Sequence, residues 1–154
     1  ALASLLFMKK AGDIGEKGLT IEAVDKVEEE KPWQDELKFY EKYKDKVLIK
    51  HLEGPLFFGF TAYFKTQVKQ IEDHIQALII RLDKVPYIDQ SGLYALEDAI
   101  FDLQQRDIKV LLVNVEGQPM DMLKAIDVIP DLVPEECILP DVASAFDYLK
   151  SKLE

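Results

Sequence analysis

The sequence predicts an α/β domain in which strands and helices alternate around a sheet with a parallel core. Three observations carry that expectation. Residues 77–82 and 109–115 are short, nearly continuous apolar runs, the pattern of strands covered on both faces. Between them Leu93, Leu96, Ile100 and Leu103 recur at helical spacing, with Ala95 and Ala99 filling the same side. The segment Tyr87-Ile88-Asp89-Gln90-Ser91-Gly92-Leu93 then sets a polar turn between strand and helix, which is where open parallel sheets place their function. The first N–H groups of a helix have no partner inside it and point at whatever lies there.

The other elements follow from local chemistry. Residues 37–46 mix Phe39, Tyr40 and Tyr43 with Glu and Lys and read as a helical turn or an irregular lead-in. Residues 47–52 read as a strand. Gly54-Pro55 marks a turn or bulge, and Leu56-Phe57-Phe58, ending at Gly59, reads as a second short strand, giving a hairpin or bent pair. A helix of about a dozen residues is expected next, with the stripe Phe64, Val68, Ile71 and Ile75. After the 109–115 strand, Glu116-Gly117-Gln118-Pro119 is a loop, and Pro119 suits a first helical turn. That helix, carrying Met122, Leu123 and Ile126, should stop before Pro130. Cys137-Ile138-Leu139 forms a last strand. Asp141 should cap a final helix through Val142, Ala145, Phe146, Leu149 and Leu153. The order is β-β-α-β-α-β-α-β-α, which implies right-handed crossovers.

The 154 residues suffice for one domain with its own core. Hydrophobic content of 48% argues against a disordered chain, and the net charge of −10 argues against nucleic acid as a partner. Cys137 is the only cysteine, so no intrachain disulfide forms and a reducing compartment is the simpler setting. The chain opens on Ala1 and not on Met, as expected of a piece or processed product of a longer protein. Its first eight residues are apolar and Lys9-Lys10 follow. They are too few to span a bilayer, which needs about 20, and the charges stand on the wrong side for a signal peptide. Two readings fit: a short amphipathic helix packed on the domain, or the end of a membrane helix with its lysines on the cytoplasmic side. Residues 11–45 read as a linker. Gly12, Gly15 and Gly18 punctuate it, Thr20 is placed to cap a short helix, and Glu28-Glu29-Glu30 with Pro32 should end that helix. Trp33, in polar surroundings, is expected to dock on a nearby surface.

The element order with Asp89-Gln90-Ser91-Gly92-Leu93 at the central turn resembles the STAS domain, a family shared by anti-sigma-factor antagonists and by the cytoplasmic regions of SulP-type anion transporters. The likeness covers residues 46–154. Glu53-Gly54-Pro55-Leu56-Phe57-Phe58-Gly59 is similar to the Gly-Pro-Leu-Phe-Phe segment of bacterial SulP domains. Residues 1–10 look like the end of that family's last membrane helix. The resemblance implies a STAS-like mixed sheet with parallel core strands, and a regulatory, protein-binding role on the cytoplasmic face of the plasma membrane, within an integral membrane protein. No catalysis and no cofactor are implied. Partners would be the membrane part of the same transporter and a cytoplasmic protein. The alternative within the family is a stand-alone antagonist switched by phosphorylation at Ser91. Gln90 stands where antagonists often carry Ser or Thr.

Read from the residues, Ser91 is a phospho-acceptor or a helix cap, and Asp89 could serve as the cap instead. If the 77–82 and 109–115 strands are adjacent and parallel, Asn114, Glu116 and Gly117 lie beside the motif loop, and a small anion or nucleotide would fit there. No Gly-rich phosphate loop supports that reading. Phe57 and Phe58 point to opposite sides if extended, so one of them is a candidate docking residue. His51 and His74 lack partners at metal-ligand spacing, so no metal site is expected. No His follows Ser91, and Asp-Gln-Ser-Gly-Leu is not G-x-S-x-G, which argues against a hydrolase.

Overall fold

A computed structural model describes residues 31–153. Four strands lie in the order β1 (Val47–Glu53), β2 (Ala77–Lys84), β3 (Lys109–Val113) and β4 (Ile138–Leu139), all parallel. Among the described residues no antiparallel strand joins this core. The helices are α1 (Leu37–Tyr43), α2 (Phe58–Lys69), α3 (Gln90–Gln105), α4 (Gly117–Ala125) and α5 (Val142–Leu153). Sequential strand order with right-handed crossovers puts the three connecting helices on one face of the sheet, where α2 and α3 pack together. The two terminal helices cover the other face: Phe39 of α1 stacks on Phe146 of α5 with ring centroids 4.4 Å apart, and Tyr43 sits 5.0 Å from the same ring. Alternation along β1 serves both layers. Lys50 donates to Gln67 of α2 at 3.2 Å, while the next residue, His51, meets Glu36 ahead of α1 at 2.7 Å.

The core is centred on β2 and β3, whose apolar residues are buried throughout, as expected for strands covered twice. In α3, Leu93, Leu96, Ile100 and Leu103 are all buried, as the helical stripe predicts. Asp141 accepts from the Ser144 N–H at 2.7 Å and caps α5.

Three expectations need correction. Leu56-Phe57-Phe58 is not a hairpin strand. Leu56 makes a single parallel bridge to Ile88, and Phe58 already opens α2. The positive φ of Gly54 (76°) turns the chain beside the end of β2, where Gly54 N–H donates to the Lys84 carbonyl at 2.8 Å. Second, α2 ends at Lys69, so Ile71 and Ile75 are core residues outside the helix. Arg106 donates to the Val68 and Ile71 carbonyls, satisfying groups that the helix end leaves open. Third, residues 34–43, inside the stretch read as linker, are folded onto the sheet, with Glu36 and Tyr43 buried. The expectations for residues 1–10, the Thr20 cap and Glu28-Glu29-Glu30 fall outside the described residues. No described helix is long and apolar enough to cross a membrane.

Candidate functional site

The motif loop sits at the carboxyl end of β2 and is held by backbone on two sides. Leu56 N–H donates to Tyr87 at 3.0 Å, and Asp89 N–H donates to Leu56 at 3.0 Å. From the other side one side-chain amide holds both backbone polar groups of Ile88. Gln118, in the first turn of α4, accepts from Ile88 N–H and donates to Ile88 C=O, both at 2.9 Å. Ile88 is fully buried, so these bonds stand in for water. Asp89 caps α3, its Oδ1 accepting from Gly92 N–H at 2.7 Å. Ser91 is therefore not the cap. It is the second residue of α3, half-buried, at the positive end of the helix.

Gly92 packs on the Leu56 backbone so closely that a Cβ there would lie 2.5 Å from the Leu56 carbonyl oxygen. The glycine of the motif is a steric necessity and sets how near α3 approaches the preceding loop. Gln90 is exposed, with its amide nitrogen 3.4 Å from the Tyr94 hydroxyl.

Exposed aromatic side chains stand beside this loop. Phe57 is 50% exposed and Tyr87 46%, with their rings 6.1 Å apart. Tyr94 and Phe101 continue the exposed aromatics along α3. The side chain of Phe58 lies outside the described ones. β2 and β3 are adjacent and parallel, as the juxtaposition with 114–117 required. Gln118 makes the contact with the motif loop. Asn114, at a left-handed φ of 58°, donates instead to Asp83 at 2.6 Å, Glu116 is exposed, and Gly117 opens α4 at φ 63°. A cleft of about 390 Å³ lies along β1, lined among others by Tyr43, Val47, Phe64 and Phe146, and none of these loop residues lines it.

Replacing Gln118 with leucine is expected to keep the volume and lose both amide bonds, leaving a buried N–H and C=O unpaired at a cost of about 2 kcal/mol. Urea denaturation measures this, and amide exchange at Ile88 and Asp89 should speed up more than exchange in β3.

On the opposite face lies a charged cluster that spacing alone gave no reason to expect. Arg81, on the central strand β2 and 3% exposed, forks onto both oxygens of Asp83 (3.0 and 2.6 Å). Its remaining nitrogen donates to Asp35 at 2.8 Å and Glu36 at 2.7 Å. Trp33 stacks on His51 with centroids 4.2 Å apart, and Arg81 and Lys84 lie over its ring. Trp33 thus docks on a neighbouring surface, as expected. Burial works to raise the Glu36 carboxyl, but hydrogen bonds from His51 and Arg81 hold it below the ordinary range. Burial likewise opposes ionisation of Asp83, and Arg81 outweighs it. Both groups bind protons less readily folded than unfolded, so their stabilisation is present above the unfolded carboxylate range, near pH 4, and fades as pH falls below it.

The STAS domain family matches residues 41–145. Among curated proteins, sulfate transporter 1.3 of Arabidopsis thaliana is 40% identical over 79 residues, 51% of this chain and 12% of that protein. The bicarbonate transporter BicA of Picosynechococcus is 26% identical over 110 residues, 71% of this chain and 18% of that protein. The chain therefore spans less than a fifth of either relative. Among solved structures, a sulfate transporter family protein from Wolinella succinogenes superposes with TM-score 0.64 at 29% identity, covering 70% of this chain and 87% of the other. The STAS domain of a SulP transporter from Vibrio cholerae gives 0.59 at 29% identity, covering 71% and 86%.

Proposed function

Because the chain belongs to the STAS domain family, we propose that it is the cytoplasmic regulatory and protein-interaction domain of a SulP-type secondary anion transporter, of the sulfate, bicarbonate or dicarboxylate class. The relatives support this: they are named as transporters and share with this chain only a small part of their length. In this reading residues 1–10 end the last membrane helix, and the chain after them leads to the domain. The observation that carries an interaction role is the exposed Phe57–Tyr87 pair beside a loop fixed by backbone bonds and by Gln118. Rigid, exposed aromatics are the residues that anchor interfaces at low entropic cost. The anion itself would be chosen in the membrane part. The stand-alone antagonist reading gains nothing from these relatives.

The test is the sequence upstream of Ala1. Repeated apolar segments of about 20 residues are expected. An initiating Met within a few residues would overturn the proposal.

Ser91 is the modification point within this role. With Asp89 holding the cap, its hydroxyl is spared that task. A phosphate there would meet the positive end of α3 but also Asp89 close by. Ser91→Asp is expected to change stability by less than about 1 kcal/mol while shifting affinity for the solubilised membrane part several-fold. Equal binding by both forms would remove Ser91 from the mechanism.

A further inference from the structure

We infer that the outer face of α1, with the turn into β1, docks on an anionic lipid surface. The proposal rests on the membrane-tethered reading above. The inner face of α1 is fixed by Phe39 and Tyr43 on Phe146, so its orientation is set by the fold. That leaves Leu37, 55% exposed, and Tyr40, 37% exposed, on the outside. Around them Lys38, Lys42, Lys44 and Lys46 are all exposed. Of the acidic residues nearby, Asp35 and Glu36 are engaged with Arg81 and Glu41 with Lys44 at 3.1 Å, while Asp45 is exposed between Lys44 and Lys46, so the four lysines outnumber Glu41 and Asp45 on this face. Lys44 also lies over the Tyr40 ring at 5.9 Å.

Ammonium groups around a small apolar and tyrosine patch are the chemistry of an interfacial helix. The segment leading into and forming α3, on the other face of the sheet, is arranged differently. From Val85 to Gln105 the chain has Asp89, Glu97, Asp98 and Asp102 and no Lys, Arg or His. A net charge of −10 would repel an anionic leaflet if it were spread evenly. Among the described residues the acids of α3 lie on the other face of the sheet from α1, and the Debye length of about 8–10 Å, less than the width of a domain of this size, screens them from a surface at α1. The basic face also belongs to the described α-helix nearest in sequence to residues 1–10. Charge complementarity and position both therefore select the leaflet as the occupant. Contact there would turn the opposite, acidic and aromatic side towards the cytosol.

The test is co-flotation of the whole chain with vesicles of phosphatidylcholine, with and without phosphatidylglycerol. Residues 1–10 are present in every variant, so binding to phosphatidylcholine alone is the common background. At about 1 kcal/mol per lysine near the surface, K38Q/K44Q/K46Q should lower the phosphatidylglycerol-dependent partition roughly 100-fold. The control K124Q/K150Q should leave it within about twofold, and added salt should weaken wild-type binding. Circular dichroism checks that the variants fold, which their exposure favours. Equal partition of the two variants, or no dependence on phosphatidylglycerol, would overturn the docking. So would the triple substitution abolishing a self-association of the chain while lipid binding stays intact. Failure here, with membrane segments found upstream of Ala1, removes the lipid surface and leaves the transporter reading standing.

Discussion

Gly92→Ala is expected to destabilise the domain by about 3 kcal/mol or more, a drop of roughly 6–12 °C in Tm for a domain of this size. The added methyl would lie 2.5 Å from a carbonyl oxygen, and that oxygen belongs to backbone, not to a side chain that can swing away. The Leu56 carbonyl already accepts from Asp89 N–H, and its own N–H is bound to Tyr87. Relief requires α3 to lift off the loop. That would strain the Asp89 cap and the packing of Leu93 and Leu96, and packed interiors yield little to such shifts. Overpacking of flexible side chains typically costs 1–3 kcal/mol, so a rigid neighbour puts this substitution at or above the top of that range. Urea denaturation of the purified domain measures it. A loss under about 0.5 kcal/mol would mean that α3 does not rest on Leu56 in solution.

Arg81→Met is expected to cost about 3–5 kcal/mol, the usual result of removing one partner from a buried charge pair. Glu36 is 1% exposed and would keep only His51 and the Trp33 N–H, while Asp83 would keep Asn114. The loss should be local first. Residues 33–43 should detach, seen as faster amide exchange in α1 and a shift in the emission of Trp33, the only tryptophan. Arg81→Met/Glu36→Leu should recover part of the stability, because the stranded carboxylate is gone. The same double variant should lessen the fall in stability below about pH 4, since Glu36 is one of the two carboxylates of this cluster held ionised in the folded state. If the single and double variants are equally unstable and keep the wild-type acid profile, Arg81 is a packing residue and its charge is incidental.

Much of the fold was legible because its signals are local. Two covered strands announce themselves as runs at 77–82 and 109–115, and the stripe from Leu93 to Leu103 has no other reading than a helix against them. The Leu56-Phe57-Phe58 run misled because three apolar residues look the same at the end of a strand and at the start of a helix. What decides is a tertiary fact, the bridge from Leu56 to Ile88. Ser91 was the first candidate cap on spacing and Asp89 the alternative, and the structure selects Asp89 because the first helical turn begins at Gln90. Gln118 could be suspected only as a polar residue in a first turn, since its partner is the backbone of a residue 30 positions earlier. Asp83 shares a strand face with Arg81, but its other partners, Glu36 and Asp35, lie 45 and 46 positions away in a stretch that reads as linker. No periodicity connects such residues. A basic residue within an otherwise apolar strand is the one hint the sequence offers.

In the proposed function the rim carrying Phe57, Tyr87 and the Ser91 loop recognises another protein surface and so regulates a membrane part joined to the domain, and this is the central claim. Anion uptake by the full-length protein, with Phe57→Ala/Tyr87→Ala set against wild type at equal membrane abundance, tests it most directly. Both side chains are about half exposed, so the isolated domain should keep its Tm within a few degrees. A change in uptake of several-fold is the expected result. Unchanged uptake, with the pair removed and the domain still folded, would contradict the claim.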